Sequence, residues 1–285
     1  MSSGAIRQSG ASEAEAILAR VRQAEPRSTA RRLFDAIGPF VAITAVLLGW
    51  EITVRSDAVI DFLLPSIGVV TSRIFEDVIT GRFFENLVLT VYRALIGFSL
   101  SAMVGITIGI LISQVRLVRW FFDPVVSLFL PMPKVALIPI FILWFDLFDV
   151  SKVMMVMVST MFTVIIATWS GTRSVERELL WSARSLGASE RAVLVQVILP
   201  GALPQIITGL QITLPVSMIV TLVTEMAMGG GGLGDALLQA ARYADSPGVF
   251  AGVLEIAATG FCIIRVMDIS RRRLLRWHQE TQKRG

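Results

Sequence analysis

Few residues in this chain have the makings of a reaction centre. His278 is its one histidine and Cys262 its one cysteine, and nothing around either has metal-ligand spacing. No nucleophile, base and orienting group fall together, so the chain is expected to be no enzyme and to hold no metal. Of its three lysines, Lys134, Lys152 and Lys283, none follows a glycine, so there is no Gly-Lys-Ser/Thr loop to cradle a phosphate. The glycine run at 229–234 lacks that lysine too. If ATP drives this protein, another chain hydrolyses it.

What remains is charge in apolar surroundings. Glu225 closes a run of 33 uncharged residues, 192–224. A carboxylate at the centre of a bilayer costs roughly 2.5–3.5 kcal/mol on insertion scales, so such residues face a cavity or a partner. The alternative is an interfacial residue that caps the glycine-rich loop. Glu255 and Arg265 share a later apolar segment. They lie about 15 Å apart along a helix, too far to pair. Arg265 is read as reaching the headgroups, and Glu255 has no evident local partner. Pro131, Met132, Pro133 and Lys134 interrupt another apolar segment. Freed carbonyls and a lysine at membrane depth are tolerated where they line a wet cavity or are buried in protein. These four are therefore pathway candidates, with a packing kink as the alternative.

The elements that must position these residues are membrane spans. Mean hydropathy is +0.70, and 54% of the 285 residues are hydrophobic against 17% charged. A soluble domain carries about 25% charged residues. A span needs about 20 apolar residues as helix. Six segments qualify: 36–54, 87–113, 120–145 (broken at 130–134), 153–171, one within 192–224 that Pro200, Pro204 and Pro215 interrupt, and 249–269. The arginines of the tails at 1–33 and 271–285, and of the loops at 116–119 and 173–191, place both ends and both loops on the cytoplasmic side. The pI near 9.8 is thus an orientation signal and no sign of a nucleic-acid partner. All six tryptophans lie near expected span ends, as an aromatic belt requires. A lone cysteine excludes an internal disulfide. The segment 65–81 spaces Val70, Ile74 and Val78 by four, giving an amphipathic helix on the membrane surface or against the bundle. Gly105 and Gly109 form a GxxxG pair, the signature of close helix packing.

One polar stretch stands between two apolar segments. Ser174 is placed to cap a helix carrying an apolar stripe of Val175, Leu179, Ala183 and Leu186. Gly187 is placed to end that helix in a left-handed conformation, and Ser189 to cap the next one, which runs into Pro200. An apolar stripe where no lipid tails exist calls for a packed partner.

The stretch "WSARSLGASERAVLVQVILPGALPQIITGL" resembles the EAA loop of ABC importer permeases. Trp181, Ser182 and Ala183 take the EAA places, with Trp for Glu and Ser for the first Ala. Gly187 is the glycine, and Val197, Ile198, Leu199 and Pro200 form the close. "LLPS", "LPMPKVALIPIFILWF" and "TEMAMGGGGLG" are similar to the nitrate, sulfonate, taurine and bicarbonate branch. The resemblance implies an all-α type I permease with a transmembrane domain at 34–270, its core at about 86–270 and a coupling loop at 172–200. In that loop Trp181, Ser182, Ala183, Leu186, Gly187, Leu199 and Pro200 would meet a cytoplasmic ATPase, which uses the ATP and Mg. A periplasmic binding protein would deliver cargo, and a second permease copy would complete the path through the inner membrane. ATP binding would close the ATPases and move the loop helices as levers; hydrolysis would reset them. For an anionic cargo a bare carboxylate repels, so Glu225 is read as gate or structure, while Lys134 could attract the cargo. The rival is a self-sufficient secondary carrier or channel, which calls for inverted repeats and paired broken helices.

Overall fold

The computed structural model describes residues 29–56, 59–60 and 62–274. Most of the expected N-terminal tail lies outside them, as do Trp277, His278 and Lys283 of the C-terminal one. The described residues form helices and turns, with no strand among them, as an all-α membrane protein requires. Two units divide near Ile67 and Gly68.

The first unit holds α1 (Thr29–Arg55), a continuous helix across the first expected span. Its side chains from Phe40 to Leu48 are exposed. Glu51 pairs with Arg55 one turn on, at 2.9 Å, and the Trp50 indole donates to the Pro65 carbonyl at 2.9 Å.

The second unit begins with α2 (Ile67–Ile79). Val70 is buried and Arg73 pairs with Asp245 at 3.1 Å, so this helix packs on the bundle. Burial weighs against the Arg73 charge, but Asp77 and Asp245 outweigh it and raise its pKa above the ordinary value. The long helices α3 (Arg82–Gln114) and α6 (Asp149–Arg173) follow. They lie in parallel contact: β-carbons on Gly97, Gly105 and Gly109 would come within 2.6–2.7 Å of Val156, Val164 and Thr168, always at the same sequence offset. The GxxxG pair thus brings two backbones together, as its spacing predicts.

Parallel neighbours need a return segment. It is supplied by α4 (Arg116–Phe129), a single tight turn (Lys134–Leu137) and α5 (Ile138–Phe145), bent by 99° at 130–133. Val126 packs with Ile112, Phe162 and Ile165; Ile138 and Phe141 pack with Met155, Val156, Val220 and Met228.

After α7 (Arg177–Ser185) the chain enters α8 (Glu190–Val193), a wide turn (Leu194–Ile198) and α9 (Leu199–Met228). Together they make one apolar rod of 39 residues. The wide turn directly precedes Pro200, whose missing N–H removes a rung of the ladder. The interruption expected from Pro204 and Pro215 does not occur: α9 continues through both. The paired broken helices of a secondary carrier are therefore missing in the described residues; only the α4–α5 pair is broken. Next come α10 (Leu233–Arg242) and α11 (Ser246–Leu274), the latter tied to α9 by Gln211 donating to Asp268 at 3.2 Å. Among the described residues four helices are long and apolar enough to cross a bilayer, or five with the bent pair as one span, against the six segments expected.

Candidate functional site

Chemistry-bearing residues collect at the two ends of the bundle. At one end, α6 runs two residues past Gly171, so Ser174 does not start the next helix. Its hydroxyl donates back to the Gly171 carbonyl at 2.8 Å, and Glu176 precedes the first residue of α7. Gly187 has a φ of 84°. Its N–H donates to the Arg184 carbonyl at 2.9 Å, and the Ala188 N–H to the Ala183 carbonyl at 3.1 Å. These are the two bonds of a Schellman closure, which needs a left-handed residue. The Ser189 hydroxyl then accepts from the Ala192 N–H and starts α8. Arg184 spans the corner with two bonds to Glu190, at 3.0 and 2.9 Å, and the pairing raises the Arg184 pKa. A two-point guanidinium–carboxylate contact fixes direction as well as distance.

This rigid corner presents apolar groups to solvent. Trp181 is 61% exposed and Leu186 85%, with Leu179 also exposed. Ser182 and Pro200 are exposed, while Ala183 and Leu199 are half-buried. Val175, also on the expected stripe, packs over Gly201 instead. Exposed aromatic and aliphatic groups held on a fixed frame mark an interaction surface, for protein or for membrane.

At the other end lies a buried charge cluster that spacing alone did not reveal. Arg93 (α3) and Glu225 (α9) are 1% and 0% exposed. Arg93 Nη1 donates to Glu225 Oε1 at 2.8 Å and to the Gly231 carbonyl at 2.7 Å; Nη2 donates to the Gly230 carbonyl at 2.8 Å. Arg93 Nε donates to Asp149 Oδ1 at 2.9 Å. The Thr90 hydroxyl donates to the Glu225 carboxylate and accepts from the Leu233 N–H at 2.9 Å. The Gly234 N–H reaches Glu225 Oε2 at 3.1 Å. Both Glu225 oxygens are thus taken, and the carboxylate anchors the 229–232 loop, all four of whose glycines have positive φ. Lys152 is buried beside them, 3.7 Å from Asp149. Paired and hydrogen-bonded, such charges survive burial; singly they do not.

The remaining candidates lie elsewhere. Pro131, Met132 and Pro133 form the α4–α5 bend, where Lys134 Nζ donates to the Leu130 carbonyl at 2.9 Å. Glu255 (α11) does not join the cluster. It lines a cavity of about 350 Å³ with Arg73, Asp77, Arg82 and Asp235, and its buried Oε1 has no hydrogen-bond partner. Arg93 did carry a signal in the sequence, as the one charge inside the expected 87–113 span. Lys152 stood one residue before the next span, and Asp149 looked like an ordinary loop acid.

Comparison with known proteins agrees with this layout. The family model described as "Binding-protein-dependent transport system inner membrane component" matches residues 101–276. A putative aliphatic sulfonates transport permease protein, SsuC of Bacillus subtilis, is 30% identical over 82% of this chain and 86% of its own length. The taurine transport system permease protein TauC of Escherichia coli is 32% identical over 70% of this chain and 72% of its own. Among solved structures, a chain of an amino acid ABC transporter aligns with a TM-score of 0.57 at 17% identity, covering 68% of this chain and 94% of its own. A chain of the MetNI methionine ABC transporter in inward-facing form aligns at 0.53, with 18% identity, 66% of this chain and 97% of its own. The matched region contains α4 to α11, the Gly187 corner and the Glu225 half of the cluster, and with it this chain belongs to the family of binding-protein-dependent transport system inner membrane components.

Proposed function

We propose that this chain is the permease subunit of an ATP-binding cassette importer for a small organic anion of the sulfonate or taurine kind. The observation that carries the reading is the exposed Trp181 and Leu186 on a corner fixed by Gly187. Cytoplasmic ATPase subunits dock there and use ATP and Mg; this chain itself catalyses nothing and binds no nucleic acid. A periplasmic solute-binding protein delivers cargo at the opposite end, and a second copy of the permease completes the path. The protein sits in the inner membrane among lipid, with both termini cytoplasmic.

The rod from Glu190 to Met228 gives the mechanism its lever. At 1.5 Å per residue it is about 58 Å long, and it joins the docking corner directly to Glu225. Movement of the docked ATPases shifts its near end, and the far end carries the anchored glycine loop. Of the pathway candidates, the bend at Pro131, Met132, Pro133 and Lys134 is assigned to the route. Glu225 is assigned to holding the loop. Glu255 receives no role in transport.

The test is co-purification of the host's ATPase subunit with the native chain and with a Trp181→Ser, Leu186→Ser variant, followed by uptake of labelled taurine into proteoliposomes with the binding protein. Capture and ATP-dependent uptake by the native chain, both lost in the variant, are expected. A folded native chain that takes up taurine without any ATPase would end the reading in favour of a self-sufficient carrier.

A further inference from the structure

Among the buried charges of the cluster, Lys152 is the one left without a hydrogen bond. Its side chain is 1% exposed, and among the described residues the one carboxylate oxygen within ion-pair distance is Asp149 Oδ1 at 3.7 Å. Asp149 Oδ1 is already held by Arg93, at 2.9 Å from Nε and 2.7 Å from Nη2. Glu225, whose oxygens are engaged by Arg93, Thr90 and the Gly234 N–H, adds only a longer-range attraction. An ammonium so placed, with no hydrogen bond from its three donors, carries a desolvation cost that one shared oxygen at 3.7 Å offsets only in part.

The exposures are just as uneven. Arg93 and Lys152 are walled in, while the side chain of Asp149, which contacts both, is 49% exposed. Asp149 is also the first residue of the 25-residue helix α6, and the positive end of that helix favours an anion at the same spot. The loop closes over the ammonium from the other side: a β-carbon on Gly230 would meet Lys152 Nζ at 2.8 Å. A positive helix end, an under-bonded buried lysine, an arginine behind it and a half-exposed carboxylate are the parts that a site for a group with several acceptor oxygens needs.

We propose that this end of α6 is an oxyanion-binding site, in which Lys152, backed by Arg93, takes the anionic headgroup of the cargo and Asp149 is the resident counter-ion that the headgroup displaces. That the anion is cargo rests on the importer reading above; the site itself rests on the geometry. A sulfonate suits it, since its three oxygens can accept from several donors of Lys152 at once.

The experiment uses the assembled permease and ATPase in phosphatidylcholine nanodiscs, with methanesulfonate as the probe and saturation-transfer NMR of its methyl protons as the readout. The native complex is expected to give a saturable signal. Lys152→Gln should raise the half-saturating concentration about tenfold, as loss of one charge-assisted hydrogen bond does, and Lys152→Arg should largely restore it. Asp149→Asn should lower it, because the competitor is gone. A merely structural role moves both single variants upward, so a rise in Asp149→Asn overturns the proposal. So does an unsaturable native signal, or a Lys152→Gln complex that binds like the native one. If Lys152→Gln does not assemble, Asp149→Asn and Lys152→Arg still decide by the same signs. Repeating the titration with phosphatidylglycerol in the discs separates the sources: Lys152-dependent competition by that lipid makes the ligand a headgroup and overturns the cargo assignment. ATP-driven taurine uptake in the same preparation reports on the importer reading separately. Uptake that survives Lys152→Gln unchanged removes the site and leaves that reading, whereas Lys152-dependent binding without uptake does the reverse.

Discussion

Arg93 Nη1 donates to Glu225 Oε1 at 2.8 Å across 132 residues of sequence, with both side chains closed off from solvent. The pair joins α3 to α9 at the level where the glycine loop leaves α9. Removing Arg93 leaves Glu225 an uncompensated buried charge, a loss of about 3–5 kcal/mol, while removing the Glu225 charge costs less because Arg93 keeps Asp149 and two loop carbonyls. Glu225→Gln is therefore expected to lower the unfolding temperature of the detergent-solubilised protein and its yield in membranes. Arg93→Lys should do much the same, because an ammonium cannot reach Glu225, Asp149 and two loop carbonyls together. Thermal melts of the three proteins decide it. A Glu225→Gln variant that melts like the native chain but transports poorly would move Glu225 from the frame to the pathway.

The close contact of α3 and α6 gives a second expectation. A β-carbon on Gly105 would lie 2.7 Å from Val164 Cβ and 3.0 Å from the Met161 carbonyl, so rigid atoms would have to give way. Gly105→Ala is expected to cost about 1–3 kcal/mol as overpacking. Gly260 in α11 meets nothing within 4 Å, and there the same substitution removes only the entropic penalty of a helical glycine, stabilising by up to about 1 kcal/mol. Opposite shifts in melting temperature are the expected result; equal shifts mean that the helix contact is not tight in the membrane.

How far this was legible in the sequence depends on the range of the interaction. Local signals held. Gly187 lacks a β-carbon and takes the positive φ that ends α7, Ser189 caps α8, and Gly105 and Gly109 face a neighbouring helix. The prolines were misjudged because spacing does not say whether a proline breaks a helix or rides in it. Pro204 and Pro215 sit inside a packed α9, where tertiary contacts override the local penalty. The charge cluster was missed for a different reason. Arg93, Asp149, Lys152 and Glu225 are spread over three helices, and only the parallel pairing of α3 with α6 and the return of α9 bring them to one level. Glu225 showed as an anomaly and Arg93 as the one charge inside its expected span, while Asp149 and Lys152 looked like span-end charges of the ordinary kind.

Lys134 poses a question of charge against hydrogen bonding. Its ammonium meets the Leu130 carbonyl freed at the bend, which a glutamine amide can also do. If its charge helps draw an anion to the route, Lys134→Arg keeps uptake while Lys134→Gln lowers it by no more than about fivefold. A partly exposed charge contributes about 1 kcal/mol at most, and the deficit should shrink with added salt. Uptake rates of the two variants at low and high ionic strength are the measurement. Equal rates at both would leave Lys134 only its bond to Leu130.

Gly187 tests the docking corner with the least risk to the fold. Its φ of 84° lies where most side chains pay about 1–2 kcal/mol, but Asn and Asp adopt it more readily than others. No atom lies within 4 Å of a β-carbon built there, so Gly187→Asp leaves the permease in the membrane with its helices intact. What changes is the surface: a carboxylate now stands beside Leu186, 85% exposed, on the face proposed to enter the ATPase. Desolvating that charge opposes docking. Transport-linked ATP hydrolysis is expected to vanish in Gly187→Asp and to survive in Gly187→Asn, which shares the backbone preference without the charge. Measured in proteoliposomes with the binding protein present, full coupling in both would free the Gly187 corner from any part in the ATPase contact.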